Sequence, residues 1–100
     1  MATTSKALFR GAASTGSTTL YTVPAATTTV ITNVIVTNTA ASTATFTLNL
    51  DDVAVASGVS LAANSMTAID LKQVLAATNT ITGLASATSV NFHISGVEIA

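Results

Sequence analysis

The sequence predicts an all-β protein, an antiparallel β-sandwich of the jelly-roll or immunoglobulin-like type with about seven or eight short strands. Three observations predict this class. Apolar and polar residues alternate with a period of two along most of the chain, about a fifth of the residues are threonine, and turn residues separate the alternating runs. We expect one sandwich domain over residues 18–100, preceded by an N-terminal arm over residues 1–17.

The N-terminal arm is predicted because residues 1–17 show little strand patterning. Alanine, serine, glycine and threonine dominate the second half of this segment. Its one bulky anchor is Phe9, which stands between Leu8 and Arg10. We therefore interpret the segment as an extension of the sandwich.

The first predicted strand lies in the run "STTLYTVP", residues 17–24. Either Leu20 or Tyr21 faces inward in this run. Pro24 closes it, because proline cannot donate a hydrogen bond to a strand ladder.

A long strand is predicted within residues 27–40, which are dense in β-branched residues. Its valines fall on one face and its isoleucines on the other: Val30, Val34 and Val36 against Ile31 and Ile35. Either both faces of this strand are covered, or a bulge shifts the register between Ile31 and Val34.

The clearest strand signal is residues 43–50, where Ala44, Phe46, Leu48 and Leu50 share one face and polar residues share the other. The pair Asp51-Asp52 interrupts the alternation, which resumes over residues 53–56. This arrangement predicts a β-hairpin.

The second half of the chain predicts two further strands around a turn at residues 63–65, then two final strands. Between these pairs, residues 71–77 form the one stretch that could make a short helical turn, held in place by packing. Ile81 and Leu84 are expected to face inward in the strand that follows. The last strand alternates Val90, Phe92 and Ile94 and pauses at Gly96.

The composition excludes several classes of function. Charged residues make up 7% of the chain, against roughly 25% in a typical soluble domain, and the net charge is −1. Three basic residues cannot neutralise a run of phosphates or form a basic membrane-surface helix, so we expect no nucleic-acid and no membrane partner. Cysteine is absent, which excludes disulfides and thiolate metal sites. We see no secretory signal in the first residues and expect synthesis in a cytoplasm.

No residue pattern predicts an enzyme. His93 is the only histidine, and strict alternation puts Glu98 on the opposite face of the sheet, so we interpret His93 as a surface or interface residue. Asp51-Asp52 lacks the spacing of a calcium loop and is better explained as a turn. Asp70 is expected to cap the helical turn that carries Lys72. We therefore predict no catalytic residues, no metal, no cofactor and no small-molecule substrate.

The run "LYTVPAATTTVITNVIVTNTAASTATFTLNLDDVAVASGVSLAANSMTAIDL", residues 20–71, resembles small virion proteins of tailed phages. These share the pattern "LYTVPAG…T.V..I.VTNTS…ATVTL.LDG…A.G..I.A", and the ending "GVEIA" fits the same group. The resemblance covers residues 20–100. Ala26 and Asp52 stand where the pattern has glycine, so we expect a slightly longer or different turn at those places.

The resemblance implies a structural component of a tailed-phage particle, and the family carries no catalytic residues. Our leading hypothesis is a capsid decoration or minor capsid protein, a homotrimer that cements the outside of the head shell through the major capsid protein. A tail-tip or tail-fibre module for host recognition and a carbohydrate-binding module are the alternatives. The arm, with Lys6, Phe9 and Arg10, is the predicted contact to the shell or to a neighbouring copy.

Overall fold

The computed structural model describes residues 2–100, which form nine β-strands and no helix. The chain is all-β, as predicted, and every strand pairing is antiparallel. In chain order the strands are β1 Thr3–Ala12, β2 Thr18–Thr22, β3 Thr28–Asn38, β4 Ala44–Leu50, β5 Val53–Leu61, β6 Ser65–Ile69, β7 Gln73–Leu75, β8 Thr80–Ala85 and β9 Val90–Ile99.

The strands form two sheets that face each other. The first sheet has the order β1-β9-β3-β6, with the short β7 beside β6 on the same edge of β3. The second sheet has the order β2-β8-β4-β5. At the sides of the sandwich, β1 packs next to β2 and β5 packs next to β6. The molecule is elongated, with extents of 46 × 21 × 18 Å.

The core lies between the sheets and is built from the inward faces of β3, β4, β8 and β9. Its largest side chains are Phe46 and Phe92, whose rings meet edge to face at 6.1 Å. This geometry is favourable for aromatic pairs. The alternation of burial along β4 and β9 confirms the inward faces that the sequence predicts for these strands.

A bulge explains why the valines and isoleucines of β3 do not follow one regular alternation. The register between β3 and β9 shifts between Ile31 and Asn33, so Thr32 is an extra residue with no partner on β9. Ile31 and Val34 therefore both face the core and are fully buried, while Ile35 lies half-buried on the outer face. Of the two explanations the sequence left open, the bulge is correct.

The segment predicted as an N-terminal arm contains a strand of the first sheet. Residues 3–12 form β1, which pairs with β9 along its whole length. Leu8 and Ala13 are buried in the core. The alternation of β1 is hidden in the sequence because its register shifts between Ala7 and Phe9, which brings Leu8 and Phe9 toward the same side.

The predicted helical turn at residues 71–77 is wrong. Residues 73–75 form β7, because their backbone pairs with Thr29–Ile31 of β3. This long-range pairing outweighs a weak local helix preference. Asp70 consequently caps no helix. Leu84 also differs from the expectation, since it is half-buried on the outer face of β8.

Two turns that lack glycine still adopt left-handed backbone conformations. Asp51 and Asp52 have φ of 51° and 61° and connect the paired residues Leu50 and Val53. The hairpin is therefore a tight two-residue turn, and the expected longer or different turn at Asp52 is wrong. Ala26, the other position without the family's glycine, has φ of 57°.

Candidate interaction surfaces

The charged side chains divide between two sides of the sandwich. We call the side formed by β1 and β2 the basic flank; it carries Lys6 and Arg10, with Glu98 on the adjoining β9. We call the side formed by β5, β6 and β7 the apolar flank. Four charged residues lie in the connections next to these strands: Asp51 and Asp52 between β4 and β5, and Asp70 and Lys72 between β6 and β7. The basic flank thus has one surplus positive charge and the apolar flank two surplus negative charges, which together give the net charge of −1.

The apolar flank also collects the exposed large apolar side chains of residues 2–100. Val53, Val55 and Val59 belong to β5, Met66 to β6 and Val74 to β7. Val53 and Val74 are each about two-thirds exposed, at 67% and 68%. Val53 and Val59 pair with the inward-facing Leu50 and Phe46, whereas Met66 and Val74 pair with residues on the outer face of the first sheet, so these side chains do not form one continuous patch.

Strand β5 is a long sheet edge without the usual protection against association. Its nine residues contain no charge and no proline, and one side of the strand is unpaired in this chain. Natural edge strands are commonly kept short or charged, which prevents pairing with another chain. The other edges follow that rule, since β1 carries Lys6 and Arg10 and β2, β6 and β7 have at most five residues.

The backbone of β5 is nevertheless bent. Its register with β4 shifts twice, and Gly58 has φ of 57° and donates its N–H to the hydroxyl of Thr47 at 3.0 Å. Bulges bend and twist a strand locally. The unpaired side of β5 is therefore not a straight ladder of hydrogen-bonding groups.

The three predicted contact residues, Lys6, Phe9 and Arg10, do not form one outward patch. Lys6 forms an ion pair of 3.5 Å with Glu98. Phe9 packs against the core, and its ring covers Gly11. Arg10 is exposed opposite His93 and takes part in neither of the ion pairs found within residues 2–100.

A polar cluster links the two sheets at the end of the sandwich where β9 finishes. The hydroxyl of Tyr21, on the second sheet, donates to the carboxylate of Glu98 and is 2.9 Å from the hydroxyl of Thr29, both on the first sheet. Burial raises the pKa of Tyr21, and the hydrogen bond to Glu98 raises this pKa further. Lys6 completes the cluster through its ion pair with Glu98.

Sequence reasoning missed this cluster, although one signal for it was available. The period-two alternation of β9 puts Glu98 on the same face as Phe92 and Ile94, that is, toward the core. It also puts His93 on the opposite face, as predicted. An acid on an inward face needs a partner, and here the partners are Tyr21 and Lys6.

Two depressions on the surface are shallow and open. One, of about 430 Å³, lies over the bulges of the first sheet, beside Lys6 and Gly96. The other, of about 510 Å³, lies beside Met66 and Asn64 at the opposite end. Neither is lined by an aromatic side chain.

Residues 2–100 contain no group of three or more histidine, aspartate or glutamate side chains that could hold a metal ion. Over the same residues, the chain forms no helix with the length and apolar character needed to cross a membrane.

No protein-family model and no curated protein matches this sequence. Among solved structures, the chain is similar to a chain in the crystal structure of the IBDV viral particle, with a TM-score of 0.59 and 11% sequence identity. The similarity covers 97% of this chain and 30% of the viral chain, so the protein spans less than a third of that neighbour. At this level of identity the likeness is one of fold.

Proposed function

We propose that this protein is a structural component of a tailed-phage virion, most concretely a capsid decoration or minor capsid protein that cements the outside of the head shell. The observation that carries the proposal is the fold, which is similar to part of a chain from a viral particle. The resemblance of residues 20–100 to small phage virion proteins points the same way.

We infer further that the sandwich is a jelly roll and not immunoglobulin-like. The first four strands pair with the later strands in reverse order: β1 with β9, β2 with β8, β3 with β6 and β7, and β4 with β5. This is the order of a long hairpin rolled into two sheets. Jelly rolls of eight strands build the domains of many viral capsids, which supports a role in a virion.

The character of the surface supports a protein that works surrounded by other protein. Threonine, alanine and asparagine lose less side-chain entropy on burial than lysine or glutamate would. The centres of protein interfaces are also depleted in charge. With charged residues at only 7%, much of this surface can be covered at a small cost in free energy.

The partners in this proposal are other copies of the chain, as a homotrimer, and the major capsid protein. A closed trimer on a threefold position of the shell lets each copy make the same contact. Many weak contacts made together add up to firm attachment. In this scheme the exposed Lys6 and Arg10 act from β1, which is held in the first sheet, while Phe9 packs against the core and anchors the strand.

The test is the copy number of the protein in purified particles of the phage that encodes it, measured by quantitative mass spectrometry against the major capsid protein. Decoration requires a simple ratio to the major capsid protein. A handful of copies that match the tail symmetry would contradict decoration and favour a tail-tip or fibre module. Absence from the particles would contradict a virion role altogether.

A further inference from the structure

Strand β1 is the most loosely attached of the long strands in the first sheet. It lies at the edge of the sheet and pairs with β9 alone. Leu8 is its only buried residue, whereas buried residues alternate through most of β3 and β9. A segment held by one ladder and one deep anchor separates from a folded domain at a lower cost in free energy than the core strands do.

One short connection joins β1 to β2, which belongs to the other sheet. The backbones of Ala13 and Ser14 are hydrogen-bonded to β9 and β8, so both residues belong to the docked segment. The hinge is therefore residues 15–17, which are exposed and contain a bend. A short hinge favours exchange of the element it carries, because an extended hinge reaches a neighbouring copy without the change of direction that the closed chain needs.

The site that β1 occupies is specific for the sequence of β1. The Cδ1 atom of Leu8 lies 2.9 Å from where a Cβ atom of Gly96 would be, so the missing side chain of this glycine makes room for Leu8. Lys6 meets Glu98 at 3.5 Å. A strand that fills this site must supply a cation and a large apolar residue two positions apart, and β1 of a second copy supplies both.

We propose that β1 is exchanged between copies of this chain, so that β1 of one copy pairs with β9 of a second copy. The exchanged contact is the one that the single chain already makes, so no new complementary surface is needed. The closed chain and the exchanged form contain the same β1–β9 contacts. The hinge and the protein concentration therefore decide between the two forms.

This inference rests on the homo-oligomer of the proposed function and assigns its contact. Around a closed ring, each copy donates β1 to the next copy and accepts β1 from the previous one, which fills every β9 edge. Lys6 and Arg10 lie on β1 and would be carried to the neighbouring copy.

The first experiment detects exchange with single cysteines. Ala7 of β1 is paired with Ser95 of β9, and paired residues of antiparallel strands have Cα atoms about 4.5–5.5 Å apart, within the span of a disulfide. The variants Ala7→Cys and Ser95→Cys are mixed in urea, refolded together at high concentration and oxidised. We expect mainly the mixed disulfide by mass spectrometry, because the chain has no other cysteine and each thiol has its partner on the other variant.

The matched control is the mixture of Thr37→Cys and Asn91→Cys, which are paired between β3 and β9 in the same way. Strand β3 lies inside the sheet, between β9 and β6, and is not expected to exchange. This mixture should show no excess of the mixed disulfide over the disulfides that each variant forms with itself. Circular dichroism confirms that all four variants are folded.

The second experiment lengthens the hinge. A Gly-Ser-Gly-Ser insertion between Gly16 and Ser17 lets β1 return to its own β9 more easily. Light scattering of the full chain should show an oligomer at high concentration, and the insertion should convert it to a monomer at the same concentration.

A native-sequence chain that is monomeric at every concentration would overturn the inference. So would an oligomer whose Ala7→Cys and Ser95→Cys mixture gives no more mixed disulfide than the control, or one that the insertion leaves intact. None of these results bears on the virion proposal, which depends on the copy number in particles.

Discussion

At the scale of single residues, the tight turn between β4 and β5 contains backbone strain that glycine would avoid. Asp51 and Asp52 both adopt positive φ, at 51° and 61°. A residue with a Cβ atom is disfavoured there by roughly 1–2 kcal/mol. The side chain of Asp51 recovers part of this cost, because it accepts a hydrogen bond from Asn79 at 3.2 Å.

Asp52→Gly should therefore stabilise the fold by about 1 kcal/mol, since glycine adopts this conformation without steric cost. Ala26→Gly should act in the same direction, as Ala26 has φ of 57°. Ala25→Gly, at the neighbouring position without a positive φ, is the matched control and should destabilise by about 0.5–1 kcal/mol. Urea unfolding followed by circular dichroism measures all three. A destabilised Asp52→Gly would mean that the carboxylate contributes more than the backbone strain costs.

The raised pKa of Tyr21 makes stability fall at alkaline pH. The folded state keeps the phenol proton at pH values above the ordinary pKa of 10.0, where the unfolded chain loses it. The contribution of this group is therefore fully present below pH 10 and is lost as pH rises through the folded-state pKa. Tyr21 is the only tyrosine and tryptophan is absent, so the ultraviolet absorbance of phenolate reports this residue alone.

We expect the phenolate absorbance of the native protein to appear at higher pH than that of the protein in denaturant. Thr29→Val should move the native curve further toward alkaline pH, because the hydrogen bond from Thr29 lowers the pKa of Tyr21. Identical curves for native and denatured protein would contradict the buried, Glu98-bonded position of this side chain. Lys6→Met tests whether the ion pair at Glu98 contributes to the shift.

At the scale of elements, local pattern was sufficient for β4 and β9, where the alternation is clean, but it placed Leu84 of β8 on the wrong face. The alternation of residues 43–50 predicts β4 and its inward face correctly, and the bulge in β3 is one of the two explanations that the irregular pattern of residues 27–40 left open. Strand β1 was not predicted, because its bulge at Leu8 breaks the alternation of apolar and polar residues. Strand β7 was not predicted, because a strand of three residues is too short to show an alternation. The Tyr21–Glu98 contact joins residues 77 apart in sequence, and only the folded topology brings them together.

Two bulged strands converge on Gly96, and this junction is a sensitive point of the first sheet. A Cβ atom there would lie 2.5 Å from the carbonyl oxygen of Val30 and 2.9 Å from the Cδ1 atom of Leu8. Gly96→Ala should destabilise the fold by about 2–3 kcal/mol, because a backbone atom cannot yield as a side chain does. Gly16→Ala, where nothing lies within 4 Å of the added atom, should change stability by less than about 0.5 kcal/mol. Equal effects of the two substitutions in urea unfolding would refute the close packing of β1 and β3 around β9.

At the scale of the whole molecule, the chain closes on itself. Strand β1 pairs with β9, and the backbones of Ala2 and Ala100 exchange two hydrogen bonds of 2.9 Å each. Nearly the full length of the chain therefore separates the partners in this pairing. The entropy of closing such a loop grows by about 0.6 kcal/mol for each doubling of its length. Folding of the native sequence should be slowed by this long-range closure.

A circular permutant tests that cost directly. It begins at Ser17, joins Ala100 to Ala2 through an Asn-Gly turn and ends at Gly16, so that β9 and β1 become a local hairpin. The cut falls in an exposed loop between β1 and β2, so the permutant should keep the native circular dichroism spectrum. It should also refold at least about twofold faster in stopped-flow experiments than the native order carrying the same two residues at its C-terminus. An unfolded permutant would show that β1 depends on its connection to β2, and an unchanged rate would place the pairing of β1 with β9 after the rate-limiting step.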